Sequence, residues 1–221
     1  MRELHAIKGP DEFAKLFNVS RETMASLEIY AELLRKWQKA VNLVAHSTLD
    51  EVWHRHIGDS AQIVDIVKAS DSSKNNGIWL DIGSGGGFPG LVAAIMLSED
   101  FDYHFHLVES NGRKCAFLAD VVRHLDLPAQ IHNERIEKLA EDGSLGPVQI
   151  VSARALASLD DLLELSAPFI DRHSVAYYFK GRDLDREIGQ ANKRWEFRSK
   201  QYNSVTSTEG RILEITALDR K

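Results

Sequence analysis

The chain has 221 residues and a mass of 24.9 kDa, enough for one substantial core and a smaller appendage. Hydrophobic residues make up 43% and charged residues 27%, a balance that excludes disordered and fibrous classes. The net charge of -6 argues mildly against a polyanionic partner, because phosphate binding gains most from clustered Lys and Arg.

No apolar run approaches the roughly 18 residues of a membrane span. Residues 1–5 do not open a secretory signal, so a cytoplasmic protein without membrane attachment is expected. The single cysteine, Cys115, has no partner for a disulfide or at metal-ligand spacing, and it reads as a small buried side chain. No metal is expected.

The first third is helical in pattern. Ser20 can cap a helix whose apolar positions Met24, Leu27, Tyr30, Leu34, Trp37 and Val41 recur at steps of three and four. A shorter helix is predicted after Ser47-Thr48 and another after Asp59-Ser60, each pair being a good N-cap. The polar, turn-rich segment 69–77 reads as a linker between an N-terminal helical region, 1–70, and a larger domain, 77–221.

Beyond the linker, short apolar runs alternate with helical ones, as a parallel sheet with crossover helices requires. Residues 78–82, 104–108, 129–132 and 148–151 read as strands, and 89–97, 112–125 and 159–169 as helices. The last stretch reads as a strand at 175–179, a helix through about Arg194, and paired strands at 201–205 and 211–218. The expected fold is α/β, a doubly wound and mostly parallel seven-stranded sheet with a small helical region before it.

The run from Trp79 to Gly90 carries the chemistry. A buried strand ends at Asp81, a turn follows with Gly83, Gly85, Gly86 and Gly87, and Pro89 suits the first position of a helix. A dinucleotide site would show G-x-G-x-x-G. Here the spacing is D-x-G-x-G-x-G, with an acid, Asp81, two residues before the first glycine; a carboxylate helps beside the ammonium of S-adenosyl-L-methionine and would repel a pyrophosphate. Glu109, ending the next strand 26 residues beyond Gly83, can accept both ribose hydroxyl protons of an adenosine.

At these residues the chain resembles the bacterial small-subunit ribosomal RNA guanine-N7 methyltransferases. The matching segments are Trp37-x4-Asn42-Leu43-Val44, Arg55 to Ser60, Asp81 to Leu91, Val108-Glu109-Ser110 with Arg113-Lys114 and Phe117-Leu118, Arg135-Ile136-Glu137, Ser152 to Ala155, and Lys180-Gly181. They follow in order over most of the chain. The resemblance implies a class I, Rossmann-like methyltransferase that uses S-adenosyl-L-methionine and acts on N7 of a guanine in 16S ribosomal RNA or the small subunit; a monomer is expected. It places cofactor contacts on Gly83, Phe88, Ile136, Glu137 and Arg154 and the ribose on Glu109, beside Asp81 and Gly85 from the loop itself. One departure is that 146–150 lacks the aspartate usual there. The alternatives are a same-fold enzyme acting on a small molecule or protein, and a noncatalytic adenosine-cofactor-binding module.

For the RNA surface, the segment from Lys180 to Lys200 has an excess of three basic residues, either a solvated helix face or an RNA contact. Lys180, Arg182 and Arg186 are its candidates, together with Arg55 and His56. The latter two either sit exposed at a helix end, with Asp59 as a cap, or face the cleft. His56 and Arg154 are candidates for positioning the reactants; Arg154 could equally be a structural ion-pair partner. Trp37, Trp53 and Phe117 read as core or as stacking surfaces. No catalytic base is required, because guanine N7 carries a lone pair and no proton.

Overall fold

The computed structural model describes residues 6–70 and 77–221. Residues 1–5, where the absence of a signal was read, and the centre of the predicted linker, 71–76, lie outside the described residues.

Helix α1 (Pro10–Phe17) is short and buries Phe13 and Phe17 one turn apart; the sequence reading did not assign it. Helix α2 (Arg21–Gln38) follows the predicted spacing. The Ser20 side chain accepts a hydrogen bond from the Thr23 amide at 2.9 Å, and Leu27, Tyr30 and Leu34 face the core. The next region differs from expectation. His46–Thr48 forms only a 3₁₀ turn, and a wide π-helical segment, Trp53–Gly58, runs directly into α3 (Asp59–Ala69). Asp59 and Ser60 therefore continue a helix instead of capping one. The Asp59 carboxylate is turned toward Arg154, and a Cβ at Gly58 would strike Ile7 and the Trp53 carbonyl, so the widened turn is held by tertiary contacts.

The sheet runs β1 (Gly77–Ile82), β2 (Tyr103–Val108), β3 (Ala129–His132), β4 (Ile150–Arg154), β5 (Val175–Lys180), β6 (Trp195–Asn203) and β7 (Arg211–Arg220). Its order is β3-β2-β1-β4-β5-β7-β6. The first five strands pair in parallel, β7 is antiparallel to β5, and β6 is antiparallel to β7. The order reverses direction between β1 and β4, and in such sheets the crevice at the strand ends there takes the ligand.

Strand β4 lies later than the predicted 148–151 because Ile150 pairs with Trp79, while the Gln149 side chain caps the Ile78 amide. Strand β6 starts earlier than predicted, since this edge strand is mostly exposed and shows no apolar run. Helix α8 (Leu184–Ala191) ends before Arg194, and α7 (Leu159–Ser166) passes into a 3₁₀ turn, Ala167–Phe169, at Pro168. Helices α4 (Gly90–Leu97) and α5 (Gly112–Leu125) agree with the reading, whereas α6 (Ile136–Asp142) was unassigned.

Alternate strand residues face opposite layers. Trp79, Phe105 and Leu107 join one core with α2, α3, α4 and α5, so the N-terminal helices and one sheet face share a single apolar interior. Leu80, Ile82 and Val151 face the other core, with α6, α7 and α8. Among the described residues no helix is long and apolar enough to cross a membrane.

Candidate cofactor and substrate site

The glycine turn between β1 and α4 is built on backbone geometry. Gly83, Gly85 and Gly87 have φ of +69°, +57° and +90°, the left-handed region in which side chains are strained. The Gly83 and Ser84 amides donate to the Val108 carbonyl at 2.9 and 3.0 Å, which ties the turn to the end of β2. Tyr30 of α2 donates to the Gly86 carbonyl at 2.5 Å, so an N-terminal helix braces the same turn. Pro89 is the N-cap of α4, one residue before the helical position expected for it.

A cleft of about 300 Å³ opens over this turn, walled by Gly83, Gly85, Glu109, Ile136, Glu137 and Leu156. The Glu109 carboxylate accepts from the Gly85 amide at 3.0 Å and from the Asn111 amide at 2.8 Å, one to each oxygen. Each oxygen keeps a lone pair for a further donor. A Cβ at Gly85 would meet no protein atom nearer than the Gly83 carbonyl at 3.7 Å, so the space over it is the open cleft. These residues form a cradle that fits an adenosine and its ribose.

Asp81 and Phe88 lie behind the wall instead of in it. The Asp81 side chain is fully buried; its Oδ1 accepts from Ser152 Oγ at 2.6 Å, which itself accepts from Trp79 Nε1 at 2.8 Å. Its Oδ2 is enclosed without a hydrogen bond. Asp81 therefore anchors the turn from beneath. The Phe88 ring packs between Tyr30 and His56, with ring centres 5.5 and 5.1 Å away, and under the Arg154 guanidinium at 4.9 Å.

Arg154, at the end of β4, lines a second cavity of about 540 Å³, and Ala155 belongs to the wall of both this cavity and the cleft. Its guanidinium donates to Asp59 Oδ2 at 3.2 Å, the Arg55 carbonyl at 3.0 Å and His56 Nδ1 at 2.9 Å. Arginine can only donate, so His56 Nδ1 accepts and Nε2 carries the proton. That proton goes to Thr48 Oγ1 at 2.8 Å, whose own hydrogen goes to the Ala45 carbonyl at 2.8 Å. His56 is thus neutral and engaged at both nitrogens. Arg55 and His56 are both cavity residues, and the π-helical segment that carries them presents them there.

The basic stretch read as either a solvated helix face or an RNA contact is partly paired with acids. Lys180 pairs with Glu187, Arg182 with Glu209, Arg186 with Asp183, and Arg194 with Asp160 and Glu164. Lys180 and Arg182 line the second cavity, whereas Arg186 does not. In that cavity Asp59 is matched by Arg154, Glu187 by Lys180 and Glu209 by Arg182. This leaves Arg55 and Arg211 without a carboxylate partner among the described residues, so the cavity is locally positive in a chain of net charge -6. The sequence reading missed Glu187, Thr206 and Arg211 as cavity residues, and no local pattern marks them.

Two buried groups give the site a pH signature. Burial, then the Arg154 and Arg55 charges, lowers His56 to about 3. The unfolded chain takes up a proton near pH 6.5 that the folded protein refuses, so the stability held above that pH is lost as pH falls toward 3. Burial raises Asp81 to about 6 against the Ser152 hydrogen bond; its contribution is complete below an ordinary carboxylate value and is lost as pH rises through 6. The slopes oppose each other between about pH 4 and 6. Asp81→Asn removes one of them. Between pH 6.5 and 4.5 the variant is expected to lose about 1 to 2 kcal/mol more than the parent in denaturant titrations. Parallel profiles would show that Asp81 is not held as described.

The doubly wound sheet, the glycine turn after β1 and an acid closing β2 define a class I methyltransferase. A solved candidate O-methyltransferase from Klebsiella pneumoniae superposes with a TM-score of 0.58 at 11% identity, over 94% of this chain and 96% of that one. A ribosomal protein L11 methylase from Lactobacillus delbrueckii subsp. bulgaricus gives 0.53 at 13% identity, over 73% and 78%. These likenesses speak to the fold alone. The chain belongs to the GidB family, described as rRNA small subunit methyltransferase G, whose model matches residues 23–216. Relatives named ribosomal RNA small subunit methyltransferase G are 47% identical in Rhizobium leguminosarum, over 91% of this chain and 96% of the relative. The one in Parvibaculum lavamentivorans is 44% identical over 94% and 89%.

Proposed function

We propose that this protein transfers a methyl group from S-adenosyl-L-methionine to N7 of a guanine in the 16S ribosomal RNA of the small subunit, acting as a cytoplasmic monomer. The observation that carries the reading, beside family membership, is that two cavities share the wall residue Ala155: one walled by the glycine turn and Glu109, the other positively charged. An enzyme for a small neutral substrate would need no such charge.

When bound, S-adenosyl-L-methionine supplies an electrophilic methyl group on its sulfonium sulfur. Glu109 accepts the ribose hydroxyl protons, Ile136 and Glu137 border the adenine, and Leu156 covers the turn at Gly83. Arg55 and Arg211 attract RNA phosphate, and the target guanine enters the second cavity unstacked from its neighbours. Guanine N7 has a free lone pair, so the protein's task is to align it with the methyl group and exclude water.

His56 could contradict this mechanism by acting as a base, but both its nitrogens are occupied and burial keeps it neutral. Single-turnover methyl transfer at saturating substrates is therefore expected to be flat from about pH 6 to 8.5. A profile that climbs through pH 6.5 in the parent and not in His56→Ala would identify a different target atom, such as an exocyclic amine. Mapping 7-methylguanosine in 16S RNA from cells with and without the gene tests the reaction itself; no difference would refute it.

A further inference from the structure

The second cavity holds a pair of side chains that the reaction as described does not use. Lys180 ends β5 with its side chain only 7% exposed. Its Nζ donates to the Ala157 carbonyl at 3.0 Å and to Glu187 Oε2 at 2.5 Å. The Leu159 amide donates to the same Oε2 at 2.6 Å. Two valences stay open on this ion pair: one Nζ hydrogen and the Glu187 Oε1 oxygen, neither with a partner among the described residues. Both residues line the cavity. A lysine enclosed in this way is poorly placed for a phosphate outside.

We infer that Lys180 and Glu187 together read the target base as guanine, Lys180 donating to O6 and Glu187 Oε1 accepting from N1–H. The inference rests on the proposed reaction at guanine N7. A guanine presents an acceptor at O6 beside a donor at N1, the complement of the ammonium and carboxylate. An adenine presents the reverse, a donor at its exocyclic amine beside an acceptor at N1, so it would set donor against donor and acceptor against acceptor. A polar pair of an enclosed lysine and a half-buried glutamate, left unmatched in this way, is a discriminator. N7 lies on the neighbouring edge of the base. With O6 and N1 on the pair, N7 stays free for the methyl group beyond Ala155. The other cavity carboxylates are less suited: both Asp59 oxygens are engaged, with Arg154 on one side and Thr206 and Gln62 on the other. Glu209 is exposed on its pair with Arg182.

The test uses 16S RNA assembled by ligation, with the mapped target nucleotide present either as guanosine or as 2-aminopurine riboside. The latter keeps N7 but has neither O6 nor a proton on N1. Single-turnover rates are measured for the parent, Glu187→Gln and Lys180→Met, with S-adenosyl-L-methionine affinity as a control for folding. The parent is expected to favour guanosine by about 1000-fold. In each variant that ratio is expected to fall at least about tenfold, because one reading contact is gone. A merely structural role would lower both rates and preserve the ratio, and that result overturns the inference. Lys180→Met leaves the Glu187 bond to the Leu159 amide available, so the test survives if Glu187→Gln folds poorly. Failure of the parent to form 7-methylguanosine on the guanosine substrate would instead refute the proposed reaction.

Discussion

A Gly85→Val variant is expected to lose S-adenosyl-L-methionine affinity by at least about 100-fold while remaining folded. The residue has φ of +57° and its amide is bonded to Glu109, so its backbone is fixed by the turn. A Cβ there meets no protein atom closer than 3.7 Å. The cost to the protein is then mainly a β-branched residue in the left-handed region, about 1 to 3 kcal/mol. The cost to the ligand is larger, because the isopropyl group fills the cleft beside Glu109. Calorimetry on folded protein measures it, with thermal unfolding run in parallel. Unchanged affinity would remove the glycine turn from the cofactor site. Gly90 offers a contrast: a Cβ there would strike Leu107 and Asp81, so substitution should unfold the protein rather than block the cleft.

Arg154→Ala is expected to lower methyl transfer by about 100-fold and stability by about 2 kcal/mol. One guanidinium joins the Asp59 carboxylate, the Arg55 carbonyl and His56, and lies against the Phe88 ring next to the turn. Its loss leaves Asp59 Oδ2 and His56 Nδ1 without the donor they share and frees the π-helical segment from the end of β4. Arg154→Lys should recover little, since an ammonium cannot serve three acceptors in a planar fork. Single-turnover rates and thermal unfolding of both variants are the measurements. Parent-like transfer by Arg154→Lys would show that charge alone matters and that the junction does not position the reactants.

Much of this site was legible in the residues. The Asp81 to Gly90 run announces a strand, a turn with positive φ and a helix start, because glycine spacing and strand ends are local properties. Glu109 follows from the same logic, lying just at a strand end, whereas Ile136 and Glu137 came from the family resemblance alone; all three line one rim of the sheet. Asp81 and Phe88 show where that logic stops. Both belong to the motif, yet the side of the turn on which each points depends on Ser152, Trp79, Tyr30 and His56, residues up to 71 positions away. The basic segment after Lys180 shows a related limit: its charges count as free in the sequence, but folding sets Lys180, Arg182 and Arg194 against Glu187, Glu209, Asp160 and Glu164.

By itself, then, the sequence determined the α/β class and the glycine turn after β1, which depend on periodicity and on backbone freedom within a few residues, and the family, which depends on motifs that match in order along the chain. Only the tertiary structure decided that Arg55 and His56 ride on a π-helical segment facing Arg154 and that Lys180 is enclosed beside Glu187. It alone placed Ala155 in the wall of both cavities. Hydrogen bonds and ion pairs between strand ends and distant helices are selected by the geometry of the packed layers, and no spacing along the chain records which donors and acceptors will remain open once that packing is complete.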